Sequence, residues 1–573
     1  MYKLPKLCFT VVLLIGGWPD AMAESSDYFE SDVPTRYDNV QNPQLPTRDA
    51  NPDAQPSLLI RAFELLDFIE SSEYGALRSD IEEILAQHIE VRQGRFTVAT
   101  LNELISELTT YYRDRGYILA RVIIPEQSTA SGVVQLRLIA GTLHSVAVTG
   151  ESAYSAETLT VPFLQQIGEP LVRSSLEGAL IQLSDYPGVD LTTALAPGAE
   201  PGTTQLNLRV LDEKPVAASA VFDNFGSSDT GRFRFTVAGQ YRNPTDHADL
   251  LSGSVRTSLF AADSVAAQVD YRIPVPNLAL PGPAIIWQDT DIGVGYSLTR
   301  FRVSGEFDAL NLEGGSDQFY LNTSRKLSYD RRQRLTADLR LSKSLSDVKQ
   351  NSAILNDDNL TSLAAGLRWE STDAFLGGGR TMLGTTVTQG LGGFLGGLSG
   401  SGDPASSRDG ASGDFAGGVY TVFSANAERL QSYSGQFLSL EGTLQWSNDL
   451  LTSAEQIGFG GQETVRGYPE SSFSADSAVI LNLEYFGLSE SVGTSLPISN
   501  IKLAAFWDMA WGWRNDAFPS EDETPSAMSV GAYTSLSVLT DYQARLGLGV
   551  PVGSSLPGDG SRYRVIFSIG RTF

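Results

Sequence analysis

Cysteine, histidine and long apolar runs are what this 573-residue chain has least of. Cys8 is its only cysteine, and His88, His144 and His247 are its only histidines. Neither a Cys/His zinc site nor a disulfide framework can be assembled from so few donors. Positive charge is scarce too: 41 Lys+Arg stand against 67 Asp+Glu, a formal net charge of −26. Phosphate backbones are bound by clustered Lys and Arg, so nucleic-acid binding is excluded as a function class. No G-x-S-x-G elbow occurs, and three scattered histidines give a Ser-His hydrolase no support. The sequence calls for no enzyme activity, no cofactor and no metal.

What is present starts at the N-terminus. Lys3 and Lys6 precede an apolar segment from Leu7 to Ile15, and Ala21-Met22-Ala23 follows. A positive start, a short apolar core and an A-x-A site describe a secretory signal peptide over residues 1–23, cut before Glu24. The run is shorter than the about 20 apolar residues of a membrane-spanning helix, and no later run reaches that length. An exported chain of this kind is either soluble or a membrane β-barrel. Residues 24–56 are polar and punctuated by Pro34, Pro43, Pro46, Pro52 and Pro56, which reads as a flexible linker.

From Leu58 the pattern is that of a small α/β unit, residues 57–141. Leu58 to Leu65 predicts a strand, and Ser79 to His88 a helix opened by Ser79 with Glu82 at capping-box spacing. A second helix from about Thr97 places Leu101, Leu104, Leu108 and Tyr112 on one face, and Gly116 terminates it. Tyr117 to Ile124 and Val133 to Ala140 alternate as two strands, the first stopped by Pro125. Residues 142–213 repeat the order: a strand from His144 to Thr149, helices over Ala156 to Gln166 and Arg173 to Asp185, strands over Val189 to Leu195 and Gln205 to Leu211. These are two successive β-α-α-β-β units.

After Lys214-Pro215, alternation with a period of two replaces helical spacing to the end of the chain, residues 214–573. In one segment Phe233, Phe235 and Val237 face one way while Arg232, Arg234 and Thr236 face the other. Leu251 to Leu259, Gln318 to Leu327, Arg334 to Leu341, Gln436 to Trp446, Ala478 to Phe486 and Arg562 to Thr572 behave alike. A β-sandwich shares this alternation, but export and the C-terminus favour a transmembrane barrel. Tyr563, Val565, Phe567, Ile569 and the terminal Phe573 share one parity, matching an interfacial aromatic rim and a barrel C-terminal signal. Sixteen antiparallel strands are predicted, with Asp291 to Phe307 taken as one long strand. The long connections, Leu391 to Ala416 and Asn448 to Asp476, then fall on one side, and short turns such as Asn243 to Asp246 on the other. Pro274 to Gln288 breaks that trend.

The longest connection, 447–476, holds Gly458-Phe459-Gly460-Gly461-Gln462-Glu463-Thr464-Val465-Arg466-Gly467-Tyr468. Glycines on both sides of a lone Arg permit tight turning and close backbone approach, although a flexible surface loop has the same composition. Further on, Phe506 and Asp508 share a strand parity opposite to Trp507. If Trp507 faces lipid, Asp508 points into the lumen, where a carboxylate can pair with an Arg from an inward-folded loop.

These residues carry a resemblance. Gly460-Gly461 through Val465-Arg466-Gly467-Tyr468 resembles the loop motif of two-partner secretion transporters, the haemolysin and filamentous-haemagglutinin exporters. Phe506-x-Asp508 is similar to that family's second motif, with Ala510 where a glycine is expected. Tyr112 to Gly116, continuing through Tyr117, Pro125-x-Gln127 and Gly132, is similar to the family's first polypeptide-transport-associated (POTRA) domain. The resemblance spans Leu58 to Phe573. It implies α+β POTRA domains in the periplasm, followed by a 16-stranded outer-membrane β-barrel with loop 447–476 folded inward. The implied activity is secretion, with activation in the haemolysin branch, of one large exoprotein held by its N-terminal secretion domain. Outer-membrane lipid and the barrel assembly machinery are the other implied partners. Arg466 would sit at the loop tip paired with Asp508, a hydrated contact worth about 1 kcal/mol. A passive porin would leave the two N-terminal units idle, and a general barrel-assembly factor would carry a longer POTRA array.

Overall fold

The structure, a computed structural model, describes residues 57–150, 152–227, 229–260, 264–278, 289–490, 498–539, 541–553 and 560–573. The signal peptide and the linker of the sequence analysis lie outside the described residues. The described chain divides into two bodies, one ending at Glu213 and one beginning at Lys214.

The first body holds two sheets. Its opening segment is broken where one strand was predicted: β1 (Leu58–Leu59) ends before Ile60, and β2 (Ala62–Leu66) starts two residues later. The break follows from partners, because β1 pairs with β3 (Arg95–Phe96) while β2 joins a different sheet. Helix α1 (Arg78–Val91) starts one residue earlier than Ser79, and its cap position, Leu77, makes no side-chain capping bond. The predicted capping box does not form. Ser79 is already helical and donates to Asp80, while the Leu77 N–H is taken by the Tyr111 hydroxyl at 2.9 Å. A tertiary contact replaces the local cap.

Helix α2 (Val98–Asp114) does carry a capping box, with the Thr97 side chain and backbone exchanging bonds with Thr100, worth about 1 kcal/mol. Its face of Leu101, Leu104, Leu108, Tyr111 and Tyr112 is buried. Gly116 follows the helix at φ +93°, a conformation that costs a residue with a Cβ more than it costs glycine. Of Tyr117 to Ile124 only β4 (Arg121–Ile123) is strand. Tyr117 is 3% exposed and stacks edge-on against Tyr74 and Tyr112, so its ring belongs to the core and not to a strand edge. With β5 (Val133–Ile139) the sheet order is β2-β5-β4. Gln127 closes its end, bonding both the N–H and the C=O of Gln135.

The second unit repeats this with β6 (Thr142–Thr149), α3 (Ala156–Thr160), a 3-10 turn at Val161–Phe163, α4 (Arg173–Ser184), β7 (Val189–Pro197) and β8 (Thr203–Glu213), in order β6-β8-β7. The units are joined stiffly, since Gly116 C=O accepts from Arg173 N–H at 2.8 Å and Gly141 C=O from Leu171 N–H at 3.0 Å.

The second body is a closed barrel of sixteen antiparallel strands. In chain order its first half is β9 (Val216–Asp223), β10 (Phe233–Arg242), β11 (Leu250–Leu259), β12 (Ser264–Pro274), β13 (Thr290–Arg302), β14 (Leu312–Tyr329), β15 (Gln333–Gln350) and β16 (Ala353–Asp373). β17 (Gly379–Gly390), β18 (Thr421–Tyr433) and β19 (Gln436–Trp446) follow. A two-strand hairpin, β20 (Ile457–Phe459) and β21 (Phe473–Ala475), lies inside the 447–476 connection and outside the barrel order. β22 (Ser477–Glu490), β23 (Ile498–Trp513), β24 (Ser526–Val538), β25 (Tyr542–Pro551) and β26 (Arg564–Thr572) complete the wall, and β26 pairs with β9. The long strand predicted over Asp291 to Phe307 ends at Arg302; Gly305–Leu310 is a 3-10 turn.

The alternation sorts the two faces of this cylinder. Phe233, Phe235 and Val237 are exposed on the outer face, and their inward neighbours are polar, as lipid outside and water inside require. β14, β15 and β16 have 18, 18 and 21 residues, more than the about 9–11 that cross a bilayer, so they run on past the hydrocarbon. The connections 391–420 and 447–476 leave from that same end of the barrel.

Candidate functional site in the barrel lumen

Loop 447–476 turns back into the cylinder as the β20–β21 hairpin, whose tip is residues 460–472. Gly460 and Gly461 start the tip at φ +110° and +98°. A Cβ on Gly460 would come within 2.5 Å of the Pro469 carbonyl oxygen, so the tight turn needs glycine there. Val465 and Tyr468 are fully buried and pack with Phe459, Ala475, Ala478 and Ala510. Ala510, the departure from the expected glycine, is itself a member of this cluster, and its strand pairs with β22 without interruption.

That packing aims Arg466 at the wall. Its Nη2 lies 2.7 Å and its Nε 3.0 Å from the two oxygens of Asp508, a fork-on-fork contact. Its own backbone N–H donates to Asp508 Oδ2 at 3.0 Å, and its Nη1 donates to Glu484 at 2.8 Å. Beneath the guanidinium lies the ring of Phe506, 3.7 Å from Cζ to centroid. Trp507, of opposite parity, is exposed on the outer face.

Asp508 is 0% exposed and Arg466 7%. The hydrated contact of the sequence analysis is therefore replaced by a dry one. Asn482 Nδ2 at 2.9 Å and Ser529 Oγ at 3.1 Å complete the ligation of the carboxylate. Glu484 is shared with Lys502 at 3.0 Å and the Tyr533 hydroxyl at 2.6 Å. A carboxylate this deep is tolerable only with such donors, and removing one partner leaves a costly buried charge. The tip also lies directly on the wall. A Cβ on Gly549 would meet the Arg466 carbonyl oxygen at 2.9 Å, and one on Gly467 would meet Ser529 Cβ at 2.7 Å. Gly467 N–H donates to Ser529 Oγ.

Gly460, Gly461, Val465, Arg466, Gly467, Tyr468, Phe506 and Asp508 thus form one lumenal assembly. Phe573 lies apart, 64% exposed, with its N–H bonded to the Ala218 carbonyl across the β9–β26 closure. Asn482, Glu484, Lys502, Ser529, Tyr533 and Gly549 are members that motif reading missed. The available signal was parity: Asn482 and Glu484 face Asp508 and Phe506 across the β22–β23 register, so all point inward.

The model of the haemolysin secretion/activation family, ShlB/FhaC/HecB, matches residues 202–534. The chain belongs to this family. A ShlB-type POTRA domain matches residues 78–141. The outer membrane transporter CdiB of Escherichia coli is 26% identical over 78% of this chain and 72% of its own length. The heme/hemopexin transporter protein HuxB of Haemophilus influenzae is 22% identical over 83% of this chain and 81% of its own. The solved structure of Escherichia coli CdiB shares the fold, with a TM-score of 0.71 at 18% identity and 93% of each chain covered. The protein is thus an outer-membrane transporter of the two-partner secretion class, with its POTRA domains in the periplasm and a secreted exoprotein as its partner.

Proposed function

We propose that this transporter carries one large, unfolded exoprotein through the barrel lumen, and that loop 447–476 leaves the path during transit. The observation that supports this reading most is the Arg466–Asp508–Glu484 network. Desolvation offsets much of the attraction between buried charges, so an ion pair fixes the loop's position without making its release prohibitive in a water-filled pore. An apolar plug of the same size would have no such hydrated alternative. Nucleotide hydrolysis has no part in this reading; folding of the exoprotein outside the cell supplies direction.

Capture of the exoprotein's N-terminal secretion domain falls to the POTRA domains through β-strand addition. On the edge of the first sheet β4 offers only three residues, whereas β7, on the edge of the second sheet, offers nine. Outer-membrane lipid contacts the apolar exterior, and Phe573 acts as the signal read by the barrel assembly machinery.

Arg466→Ala leaves the tip without its fixed resting position and is expected to remove the exoprotein from the medium while leaving a folded, heat-modifiable barrel in the outer membrane; normal secretion would defeat the role given to the seated loop. Deleting residues 58–211 should stop export and leave a membrane-inserted channel, and an unchanged level of exoprotein outside would defeat the capture step.

A further inference from the structure

The loop is held at a second place, five strands further round the wall from Asp508. On β10, Arg234 points into the lumen and bonds two carboxylates at once. Its Nε is 2.9 Å from Asp223, the last residue of β9, and its Nη1 is 2.9 Å from Glu470 in the loop tip. Asp223 belongs to the fixed wall and Glu470 does not. The diagonal neighbour of Arg234 is Arg256, opposite Thr236 on β11 and of the same inward parity. The Arg256 side chain makes no hydrogen bond or ion pair among the described residues, yet it lies within the field of Arg234, Asp223, Glu470 and Glu463.

The charge balance of this patch depends on the loop. With the tip in place, Glu470 bonds Arg234 and leaves Arg256 with its donors unused. With the tip withdrawn, two guanidiniums remain beside one wall carboxylate, Asp223, which keeps its bonds to Arg234 and to the Phe225 N–H. Partly desolvated guanidinium donors are strong ligands for a carboxylate, and the vacated position is preshaped for one. An unfolded polypeptide in the same lumen would present Asp and Glu side chains to it.

We infer that Arg234 and Arg256 form a carboxylate-binding site of the lumen, with Glu470 as its resident occupant, which acidic side chains of the transiting polypeptide take over when the loop withdraws. The inference rests on the reading that loop 447–476 leaves the path. Glu470 then acts as a built-in competitor of the substrate.

The test uses the full chain in planar bilayers with poly-L-glutamate or poly-L-lysine added to the periplasmic side. Glu470→Gln removes the resident charge and leaves only a weaker neutral acceptor, so poly-L-glutamate should block the current at about tenfold lower concentration than in the wild type, the effect of one charge-assisted contact. Adding Arg256→Gln should return the block to the wild-type concentration, Arg256→Lys should keep most of the gain, and poly-L-lysine block should not move. The inference is overturned if Arg256→Gln leaves the Glu470→Gln block unchanged, or if poly-L-lysine block shifts equally. Loop movement is scored separately: a Val465→Cys side chain, fully buried in the seated tip, that stays unlabelled by maleimide during secretion defeats the moving loop, whereas an unchanged poly-L-glutamate block defeats only this site.

Discussion

Substituting Arg466 by alanine should raise the population of loop-out states by about two orders of magnitude. The variant keeps the backbone N–H that donates to Asp508, and Asn482 and Ser529 still donate to the same carboxylate. It loses the two guanidinium bonds at 2.7 and 3.0 Å, and Glu484 falls back on Lys502 and Tyr533. Removing one partner of a buried pair costs about 3–5 kcal/mol, and the three remaining donors to Asp508 place this case near the lower end. About 3 kcal/mol is a factor of about 100 in the loop equilibrium. Val465 is fully buried in the tip cluster, so Val465→Cys should react with a maleimide only when the tip leaves the wall. Its labelling rate in the intact chain should rise about a hundredfold in the Arg466→Ala background, and Arg466→Lys, which keeps charge but not the fork, should fall between. Asp508→Asn in the same assay completes a double-mutant cycle with an expected coupling of about 2 kcal/mol or more. A labelling rate within twofold of the parent, or a coupling near zero, would refute the idea that this pair positions the loop.

Other perturbations probe different joints. Gly549→Ala puts a methyl against the Arg466 backbone, which cannot swing aside, and should loosen the tip by about 1–3 kcal/mol, seen as faster Val465→Cys labelling in an intact barrel. Arg408, 5% exposed in the glycine-rich connection, bonds Asp476, the Leu451 carbonyl and the Asn515 carbonyl, tying three connections together. Asp476 is fully buried, so Arg408→Ala should cost about 3 kcal/mol and expose residues 391–420 to protease on intact cells. In the first POTRA domain, burial holds the Tyr112 phenol well above its ordinary value of 10, with Tyr111 and Tyr117 raised in the same direction. The unfolded chain loses these protons first, so the domain's stability should be full below about pH 10 and fall above it, measured as faster proteolysis of residues 57–213 in the whole chain. Unchanged cleavage above that pH would contradict the buried phenols.

How much of this was legible beforehand varied with the range of the forces involved. The start of α2 near Thr97 and its buried face were readable because the residues that set them lie within one or two turns. The break between β1 and β2 was not, since it depends on Arg95–Phe96 pairing with Leu58–Leu59. Nor was the start of α1, where a hydroxyl from Tyr111 does the work of a cap. At the site, glycine spacing and strand parity drew attention to Arg466 and Asp508. Glu484, Ser529, Gly549 and Arg234 shared the inward parity but had no motif to single them out, because each matters only through a partner many residues away: 18 for Glu484 and 236 for the Arg234–Glu470 pair.

By itself the sequence determined which side chains meet lipid and which meet water across the C-terminal strands, and that two α/β units precede them. Both follow from periods of 2 and 3.6 residues, which neighbouring positions settle among themselves. Only the tertiary structure decided that the sheet closes β26 onto β9, that the loop occupies the lumen, and that Asp508 is dry. Register and burial are sums over distant segments, so the same carboxylate is an ordinary lumen charge until the tip, 42 residues earlier in the chain, folds back to cover it.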